Sequence, residues 1–595
     1  MGVFKNSAVT SKYKKPTNKV LPKPIPPNVS EDFEYKSLFR KTSNDLFMPV
    51  PNDYEFLPPR WPLECEVVQD QIFHINCIPQ NPENFYCPTG KEDQPKVCEN
   101  KRGVVVYDYL MSSLHFFHKS SANGTPREIN SAHPNLKKDS LRFESRFECG
   151  NLAKVVQIHE TYYELYLRSD LYTNKHVQWF YFKVTNMTKN VNYRFTIVNL
   201  TKEESLYKQG MKPLMYSVKD AFIRCVGWRR CGDNISYHCN NNCSETNQEQ
   251  TYSFTFTFQF TYDGDAVYFT YCYPYTYSDL QLYLFKLVSH PIKAKFTNVR
   301  LLCKSLAGNN VYYLSITAPE TSSAKKKSKY KNKGRSKTKK KKRTIVVTSR
   351  VHAGETPSSW IMKGILDFLT SNSSTAKKLR ENFIFKLVPM LNPDGVVVGN
   401  TRLSLTGKDL NRQYKNVVKN QFPSIWYTKL LIERISSKEN IAMYCDLHAH
   451  SRSHNIFLYG RDSQPGSDEY LEAQMFPLLL HRNAVDKFSY ESCQFNFGKR
   501  REGTGREVME KMGISHSFTI EASFGGSKMG DRNETLFSTQ DYEEMGHSFC
   551  KTVLDFYDED PFKEKMRRKL RNRLRKDASD TTVSPPPQDV HDKNK

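Results

Sequence analysis

Alternating hydrophobic and polar positions dominate the chain from about Leu141 to Ala307. Segments such as YYELYLRSDLY, VQWFYFKVTN, YRFTIVNL and YSFTFTFQFTYD have a period of two and are rich in aromatic and β-branched side chains. This period is typical of antiparallel strands that bury one face. We therefore predict an antiparallel β-sandwich domain over residues 141–307.

The pattern changes after residue 307, where continuous apolar runs alternate with amphipathic segments. TIVVTSRV, FIFKLVPML, IAMYCDL, NIFLYG and SFTIEAS read as buried strands, whereas SSWIMKGILDFLT and PSIWYTKLLIERI read as helices. Alternation of this kind predicts an α/β domain with a mixed sheet flanked by helices, over residues 308–558. We expect its functional side chains at the ends of strands.

Four further segments lack a pattern that could build a core. We predict a disordered basic arm over residues 1–55 and an irregular lead-in over 56–140. Residues 325–343 contain thirteen basic and no acidic side chains, so we predict a solvated Lys-rich insertion. Residues 559–595 form a basic tail, which we expect to begin as a helix and pass into disorder.

Length and charge restrict the class of protein. The chain has 595 residues, which exceeds one ordinary domain, and a formal net charge of +25. This charge favours a polyanionic partner, but its sign does not choose among nucleic acid, an anionic membrane surface and an acidic protein tail. No apolar run reaches about 18 residues and no signal-peptide core is present, so we expect a soluble cytosolic protein with reduced cysteines.

Candidate metal ligands follow two of the predicted strands. His352 and Glu355 in VHAGE stand between a strand and a helix, and His448 in DLHAHS ends another apolar strand. A short pair of ligands followed by a distant histidine is typical of catalytic zinc, which keeps its fourth position open. His450 and His454 compete with His448 for the role of third ligand.

Other polar side chains in the same domain could bind or activate a substrate. Glu521 lies within the apolar strand SFTIEAS. Burial of a carboxylate without a partner costs folding free energy, which indicates a functional role for this residue. Glu521 is therefore a candidate general base. Arg402, Asn411 and Arg412 supply hydrogen-bond donors, and guanidinium groups bind carboxylates at two points.

At these residues the sequence resembles the zinc carboxypeptidases, and among them the cytosolic carboxypeptidases that deglutamylate tubulin and other proteins. The resemblance covers roughly residues 60–558. Its signatures in the α/β domain are HAGE, NPDGVVVGNTR, DLNRQY, DLHAHS, EGTGR and TIEASFGG. Upstream, FESRFECGNL, HVQWFYFKVTN and YCYPYTYSDLQLYL resemble the β-sandwich of that family, and PRWPLECEV and FYCPTG resemble the lead-in of its types 2 and 3.

The resemblance implies a role for each matching residue. It makes His352, Glu355 and His448 the ligands of one zinc ion, and Glu521 the general base. Arg402 would stabilise the oxyanion, and Asn411 with Arg412 would hold the terminal carboxylate of the substrate. Arg506 in EGTGR would complement the side chain of a terminal glutamate, helped by residues 499–501.

The resemblance also implies substrates and a location. We expect hydrolysis of terminal glutamates from polyglutamate side chains or acidic C-terminal tails of proteins such as tubulin and microtubules. Nucleic acid is not expected as a partner. The expected location is the cytosol, with association with the cytoskeleton, centriole or cilium. The rival hypotheses are a carboxypeptidase without acidic preference, an amide hydrolase of small acyl amino acids, and a catalytically silent protein that binds microtubules or nucleic acid.

One residue departs from the family pattern, and one cluster of cysteines is not part of that pattern. The family usually has proline where Ala353 stands, a change that removes no ligand. The cluster from Cys225 to Cys243 could hold a structural zinc ion, but its spacing fits no common zinc finger. We therefore favour a loop between strands of the sandwich.

Overall fold

The computed structural model describes residues 58–62, 65–68, 72–97, 103–109, 137–240, 250–319, 341–461, 467–495 and 502–581. All of them belong to one compact unit, Leu46–Lys595. Several predicted features lie outside the described residues: the arm 1–55, Cys243, residues 325–340 of the Lys-rich insertion, residues 499–501 and the tail after Thr581.

The first domain is built from two sheets that face each other. Its strands are β1 (Val104–Asp108), β2 (Arg142–Glu144), β3 (Leu152–His159), β4 (Tyr162–Leu167), β5 (Tyr181–Thr185), β6 (Asn192–Leu200), β7 (Leu214–Ser217), β8 (Arg229–Arg230), β9 (Asp233–Cys239), β10 (Tyr252–Gln259) and β11 (Val267–Thr270). A short helix α1 (Val218–Arg224) follows β7. The sheets have the orders β1-β3-β4-β6-β10-β9 and β2-β5-β11-β7-β8. Neighbouring strands are antiparallel, except that β4 and β6 run parallel.

Aromatic side chains join the two sheets of this domain. Phe195 and Phe256 lie on neighbouring strands of one sheet, and Phe269 lies on the other. Their ring centroids are 5.5 to 5.8 Å apart, and all three side chains are fully buried. Rings at these distances add to the free energy gained by burying apolar area. The predicted β-sandwich is confirmed.

The second domain is a mixed sheet flanked by helices. Its strands are β12 (Thr297–Lys304), β13 (Asn310–Ile316), β14 (Arg343–Ser349), β15 (Phe383–Val388), β16 (Ile441–His450), β17 (Ile456–Tyr459), β18 (Ser517–Ser523), β19 (Gly526–Ser527) and β20 (Thr535–Leu536). Its helices are α2 (Tyr277–Ser289), α3 (Thr356–Thr370), α4 (Ser374–Asn382), α5 (Pro393–Val397), α6 (Pro423–Ser436), α7 (Asp468–Asn483), α8 (Gly505–Lys511), α9 (Thr539–Tyr557) and α10 (Pro561–Thr581).

The seven-stranded sheet of this domain has the order β12-β13-β15-β14-β16-β18-β17. The central pairs β14–β15, β14–β16 and β16–β18 are parallel, and the outer pairs are antiparallel. Parallel strands carry their carboxyl ends to one edge, where ligands bind in open α/β sheets. The predicted α/β class with a mixed sheet is confirmed.

Helices α3 and α9 pack closely because glycines face each other at their contact. A Cβ atom at Gly364 would come within 2.1 Å of the Glu543 carbonyl oxygen, and one at Gly546 within 2.4 Å of the Ile361 carbonyl oxygen. Larger side chains would push the helices apart and open the core beneath them. Among the helices in the described ranges, none is both long and apolar enough to cross a bilayer.

The structure places β1, β12 and helix α2 differently from the sequence-based boundaries, whereas α10 is the helix expected at the start of the basic tail. Strand β1 pairs with β3, so the sandwich takes in a strand of the expected lead-in. Strand β12 belongs to the seven-stranded sheet although it precedes residue 307. Its period-two pattern is the same in either sheet, so the pattern alone cannot assign it. Helix α10 extends through the first part of the basic tail, where Leu570 and Leu574 pack on the core.

Candidate active site and metal centre

Three side chains from separate elements converge at the carboxyl edge of the mixed sheet. His352 follows β14, Glu355 stands at the N-terminus of α3, and His448 lies near the end of β16. Glu355 lies between the two imidazoles, 2.7 Å from His352 Nδ1 and 3.0 Å from His448 Nδ1. One ligand atom from each residue lies within 4.8 Å of the others. We call His352, Glu355 and His448 the metal-ligand group.

The members of the metal-ligand group shift one another's pKa. Burial would raise the pKa of Glu355, but the two imidazoles hold it well below its usual range. Burial would lower the pKa of His448, but Asp446 and Glu355 raise it well above its usual value. Two imidazole nitrogens and one carboxylate are a donor set of catalytic zinc sites, so these residues fit that ion.

A carboxylate supports each imidazole from behind. His352 Nε2 lies 3.1 Å from Asp409 Oδ1, and His448 Nε2 lies 2.9 Å from Asp446 Oδ2. Such contacts leave Nδ1 directed at the metal and make the imidazole more basic. Asp446 accepts from the imidazole of His448 and so orients it. The matching role of Asp409 was missed, although its position in DLNR, two residues before Asn411, was a signal for it.

We expect Asp446→Asn to lower the zinc affinity by about 10- to 100-fold, the usual effect of losing a carboxylate behind a metal-bound histidine. Asp446 is fully buried and also accepts a hydrogen bond of 2.6 Å from Thr348 Oγ1. The neutral amide is a weaker acceptor for the imidazole N–H. Competition with a chelator of known affinity measures the change.

Asp394→Asn is the matched control for this prediction. Asp394 is a buried aspartate that accepts hydrogen bonds from Ser305 Oγ, Ala307 N and Asn309 Nδ2, away from the metal-ligand group. It therefore reports the effect of losing a buried carboxylate elsewhere. An equal loss of zinc affinity in both variants would show that Asp446 acts only on general stability.

The turn that carries His352 and Glu355 is held by a buried arginine. Arg350 has a positive φ of 57° and is 1% exposed. Its guanidinium donates to the Ala353 carbonyl oxygen at 2.7 Å and to the Tyr275 carbonyl oxygen at 3.0 Å. Gly354 approaches Thr401 so closely that a Cβ atom would lie 2.8 Å from its carbonyl oxygen. These contacts fix the turn with alanine in place of the usual proline.

Glu521 lies beside the metal-ligand group on the next strand. In the parallel register of β16 and β18 it pairs with His448, so both side chains leave the same face of the sheet. Its neighbours Ile520 and Ala522 are fully buried, whereas Glu521 is partly exposed. It borders a cavity of about 540 Å³ that also includes His352, Glu355 and His448. We call this the main cavity.

The sandwich domain fixes the position of Arg402 at the edge of the main cavity. The buried carboxylate of Asp170 accepts hydrogen bonds from the backbone of Thr401, Arg402 and Leu403 at 2.5, 2.8 and 2.7 Å. The Arg402 guanidinium donates two hydrogen bonds to Asp409, and its Nη1 lies 4.0 Å from Glu355 Oε1. Sequence patterns did not predict this link between the domains.

The three remaining predicted site residues also border the main cavity. Asn411 is buried, and its amide lies 3.3 Å from His448 Nε2 and accepts a hydrogen bond from Gly505 N. Arg412 is exposed and donates to the Asn411 carbonyl oxygen at 2.9 Å. Arg506 is 4% exposed and donates to the Gly460 carbonyl oxygen at 2.5 Å. Asn411 thus ties the N-terminus of α8, which carries Arg506, to His448.

The alternative metal ligands do not join the metal-ligand group, although His450 borders the main cavity. His454 stacks on Phe85 and contacts the Gln209 carbonyl oxygen, and His450 packs against Phe457. Within the part of the chain that the structure describes, the metal-ligand group is the one cluster with suitable geometry. The described members of the cysteine cluster, which include exposed Cys225 and buried Cys231, form no second metal site.

Comparison with known proteins agrees with this geometry. Residues 292–541 match the zinc carboxypeptidase family, and residues 143–272 match the N-terminal domain of cytosolic carboxypeptidases. The chain is 47% identical over 523 residues to cytosolic carboxypeptidase 2 of Danio rerio, which covers 87% of this chain and 70% of the relative. The chain belongs to the cytosolic carboxypeptidase family. This membership and the converging ligands confirm the prediction of a zinc cofactor.

Other members of the cytosolic carboxypeptidase family are longer than this chain. The mouse cytosolic carboxypeptidase 2 is 47% identical over 514 residues, which are 57% of its length. The bovine cytosolic carboxypeptidase 3 is 46% identical over 510 residues, which are 49% of its length. A solved metallo-carboxypeptidase from Burkholderia cenocepacia shares the fold, with a TM-score of 0.55 and 18% identity over 70% of this chain and 99% of that one.

Proposed function

We propose that this protein is a zinc-dependent carboxypeptidase that removes terminal glutamates from polyglutamate side chains or acidic C-terminal tails of proteins such as tubulin. One observation carries the proposal. A single cavity brings together the metal-ligand group, the carboxylate of Glu521 and the cations Arg412 and Arg506. Family membership supports the carboxypeptidase reaction, and the cations support the acidic substrate.

The residues that border the main cavity have separate roles in hydrolysis. Zinc, when bound, supplies a Lewis acid that polarises the scissile carbonyl and lowers the pKa of a water molecule to about 7. Glu521 accepts the proton of the attacking water and returns it to the leaving amine. Arg402, held by Asp409, donates to the oxygen on which negative charge develops.

Two cations that border the main cavity select the substrate. Arg412, beside Asn411, binds the terminal carboxylate and so restricts cleavage to the last residue of a chain. Arg506 is buried in the wall, where a fixed cation complements a glutamate side chain better than an apolar one. The expected location is the cytosol, with association with the cytoskeleton, centriole or cilium where such tails occur.

Mass spectrometry of the reaction products tests the proposal. The purified protein is incubated with polyglutamylated tubulin and with peptides that differ only in a terminal Glu, Leu or Lys. We expect loss of glutamates from tubulin and at least about 10-fold higher kcat/KM for terminal Glu, because a buried cation left unpaired disfavours the other two.

A chelator control and two contrary outcomes complete this experiment. A zinc chelator is expected to stop the reaction on every substrate, and added zinc to restore it. Equal rates on the three peptides would remove the proposed role of Arg506 and favour a carboxypeptidase without acidic preference. Absence of cleavage with zinc bound would instead favour a catalytically silent binding protein.

A further inference from the structure

A second cavity opens next to the main cavity, between the two domains. Its volume is about 260 Å³. The sandwich contributes His176, Gln178, Lys202 and Tyr271 to its wall, and the mixed-sheet domain contributes Glu355, Arg402 and Ser451. We call this the side chamber. Because the sandwich domain forms part of its wall, the mixed-sheet domain alone could not form the side chamber.

Glu355 of the metal-ligand group borders both the main cavity and the side chamber. Both spaces are bordered by Lys202, Glu355 and Arg402, whereas Arg412 and Arg506 border the main cavity but not the side chamber. A substrate with its terminal residue at Arg412 and Arg506 therefore has its scissile bond near Glu355. The residue on the amino side of that bond, the penultimate residue, extends towards the side chamber.

Lys202 places a cation in the wall of the side chamber. It follows strand β6 and is half-buried, and its ammonium donates a 3.0 Å hydrogen bond to Ser451 Oγ. Burial, with a further contribution from Arg402, lowers the pKa of Lys202 to about 8. The ammonium remains mostly protonated at pH 7 but carries a desolvation cost. An incoming carboxylate would offset that cost.

The other charged groups around the side chamber leave Lys202 as a suitable partner for an anion. Burial lowers the pKa of His176 to about 4, so this side chain is neutral at pH 7. Arg402 forms an ion pair with Asp409, and Glu355 is a member of the metal-ligand group. The exposed Glu203 and Glu204 border the main cavity rather than the side chamber.

The wall that carries Lys202 is already formed without substrate. The Tyr237 hydroxyl donates a hydrogen bond to the Lys202 carbonyl oxygen, which fixes the backbone at this position. The backbone N–H of Trp179 donates to Thr401 Oγ1 at 3.0 Å, and so joins the two sides of the chamber. Preorganised groups bind with a smaller entropic cost than mobile ones.

We propose that Lys202 is a specificity residue that binds the side-chain carboxylate of the penultimate residue, so that the enzyme recognises two consecutive acidic residues. This inference rests on the proposed function, because that function places the terminal residue in the main cavity. It extends recognition from one glutamate to a chain of them. The sandwich domain thereby takes part in substrate selection.

Paired peptides that differ only in a penultimate Glu or Gln test the inference. The terminal residue is whichever one the wild-type protein removes fastest. We expect Lys202→Met to lower kcat/KM about 10-fold for the penultimate Glu peptide and less than about 2-fold for the Gln peptide, because only the former loses a partly buried charge pair. Lys202→Arg should keep the preference.

Lys208→Met is the matched control, since it removes an exposed cation of the sandwich that does not border the side chamber. Calorimetry gives a second readout that needs no turnover. In a Glu521→Gln background, Lys202→Met should weaken binding of the Glu peptide about 10-fold and leave the Gln peptide unchanged.

Two outcomes would overturn the inference without touching the proposed function. One is an equal loss on both peptides, which would make Lys202 a structural residue. The other is an unchanged preference in Lys202→Met. If the wild-type protein removes terminal Leu as fast as terminal Glu, the proposed terminal preference fails, yet the penultimate ratio still tests Lys202. No cleavage and no binding of any peptide would overturn both.

Discussion

Glu521→Gln should lower kcat by about 10³- to 10⁴-fold on every peptide, while KM changes little. The amide has the size of the carboxylate but cannot accept a proton from the attacking water. Glu521 lies in register with His448 and borders the main cavity, so it is placed for proton transfer beside the metal-ligand group. Steady-state assays with the peptide that the wild-type protein cleaves fastest measure the change in kcat.

The value of this variant depends on proof that the rest of the site is intact. Zinc content and the thermal midpoint should match the wild type, because Glu521 is partly exposed and is not a member of the metal-ligand group. Glu204→Gln is the matched control, since it neutralises an exposed carboxylate at the same cavity and should keep full activity. Turnover at the wild-type rate in Glu521→Gln would remove this residue from the reaction.

The sequence predicted the parts of the site that depend on local spacing. His352 and Glu355 stand three residues apart between a strand and a helix, so backbone geometry alone brings them together. His448 and Glu521 each lie near the end of an apolar strand, and parallel pairing carries such ends to one edge of a sheet. The resemblance to a family then selected His448 over His450, which local pattern could not do.

Contacts between the domains could not be predicted in the same way. Asp170 binds three successive backbone N–H groups near Arg402, more than 200 residues away, and nothing in the sequence around Asp170 indicates this partner. Lys202 likewise follows a sandwich strand without any motif. Such contacts depend on how two folded domains pack together, which the periodicity of either domain does not specify. The boundary near β12 was misplaced because the period-two pattern of this strand fits either sheet.

His448→Gln should abolish both zinc binding and hydrolysis, with a loss of zinc affinity beyond the roughly 10- to 100-fold expected for Asp446→Asn. Of the three ligands, His448 alone comes from β16. Its Nδ1 lies 3.0 Å from a carboxylate oxygen of Glu355, and its Nε2 lies 2.9 Å from one of Asp446. Glutamine can still donate to Asp446, so the buried carboxylate keeps a partner. Metal analysis of the purified variant and competition with a chelator measure the loss.

His450→Gln separates the effect of the ligand from that of any nearby histidine. His450 lies two residues further along the same strand, is partly exposed and packs against Phe457 rather than joining the metal-ligand group. It should retain stoichiometric zinc and nearly full activity. If instead His450→Gln loses zinc and His448→Gln keeps it, the third ligand has been assigned to the wrong histidine. Because both variants make the same chemical change on one strand, their difference isolates the geometry of the site.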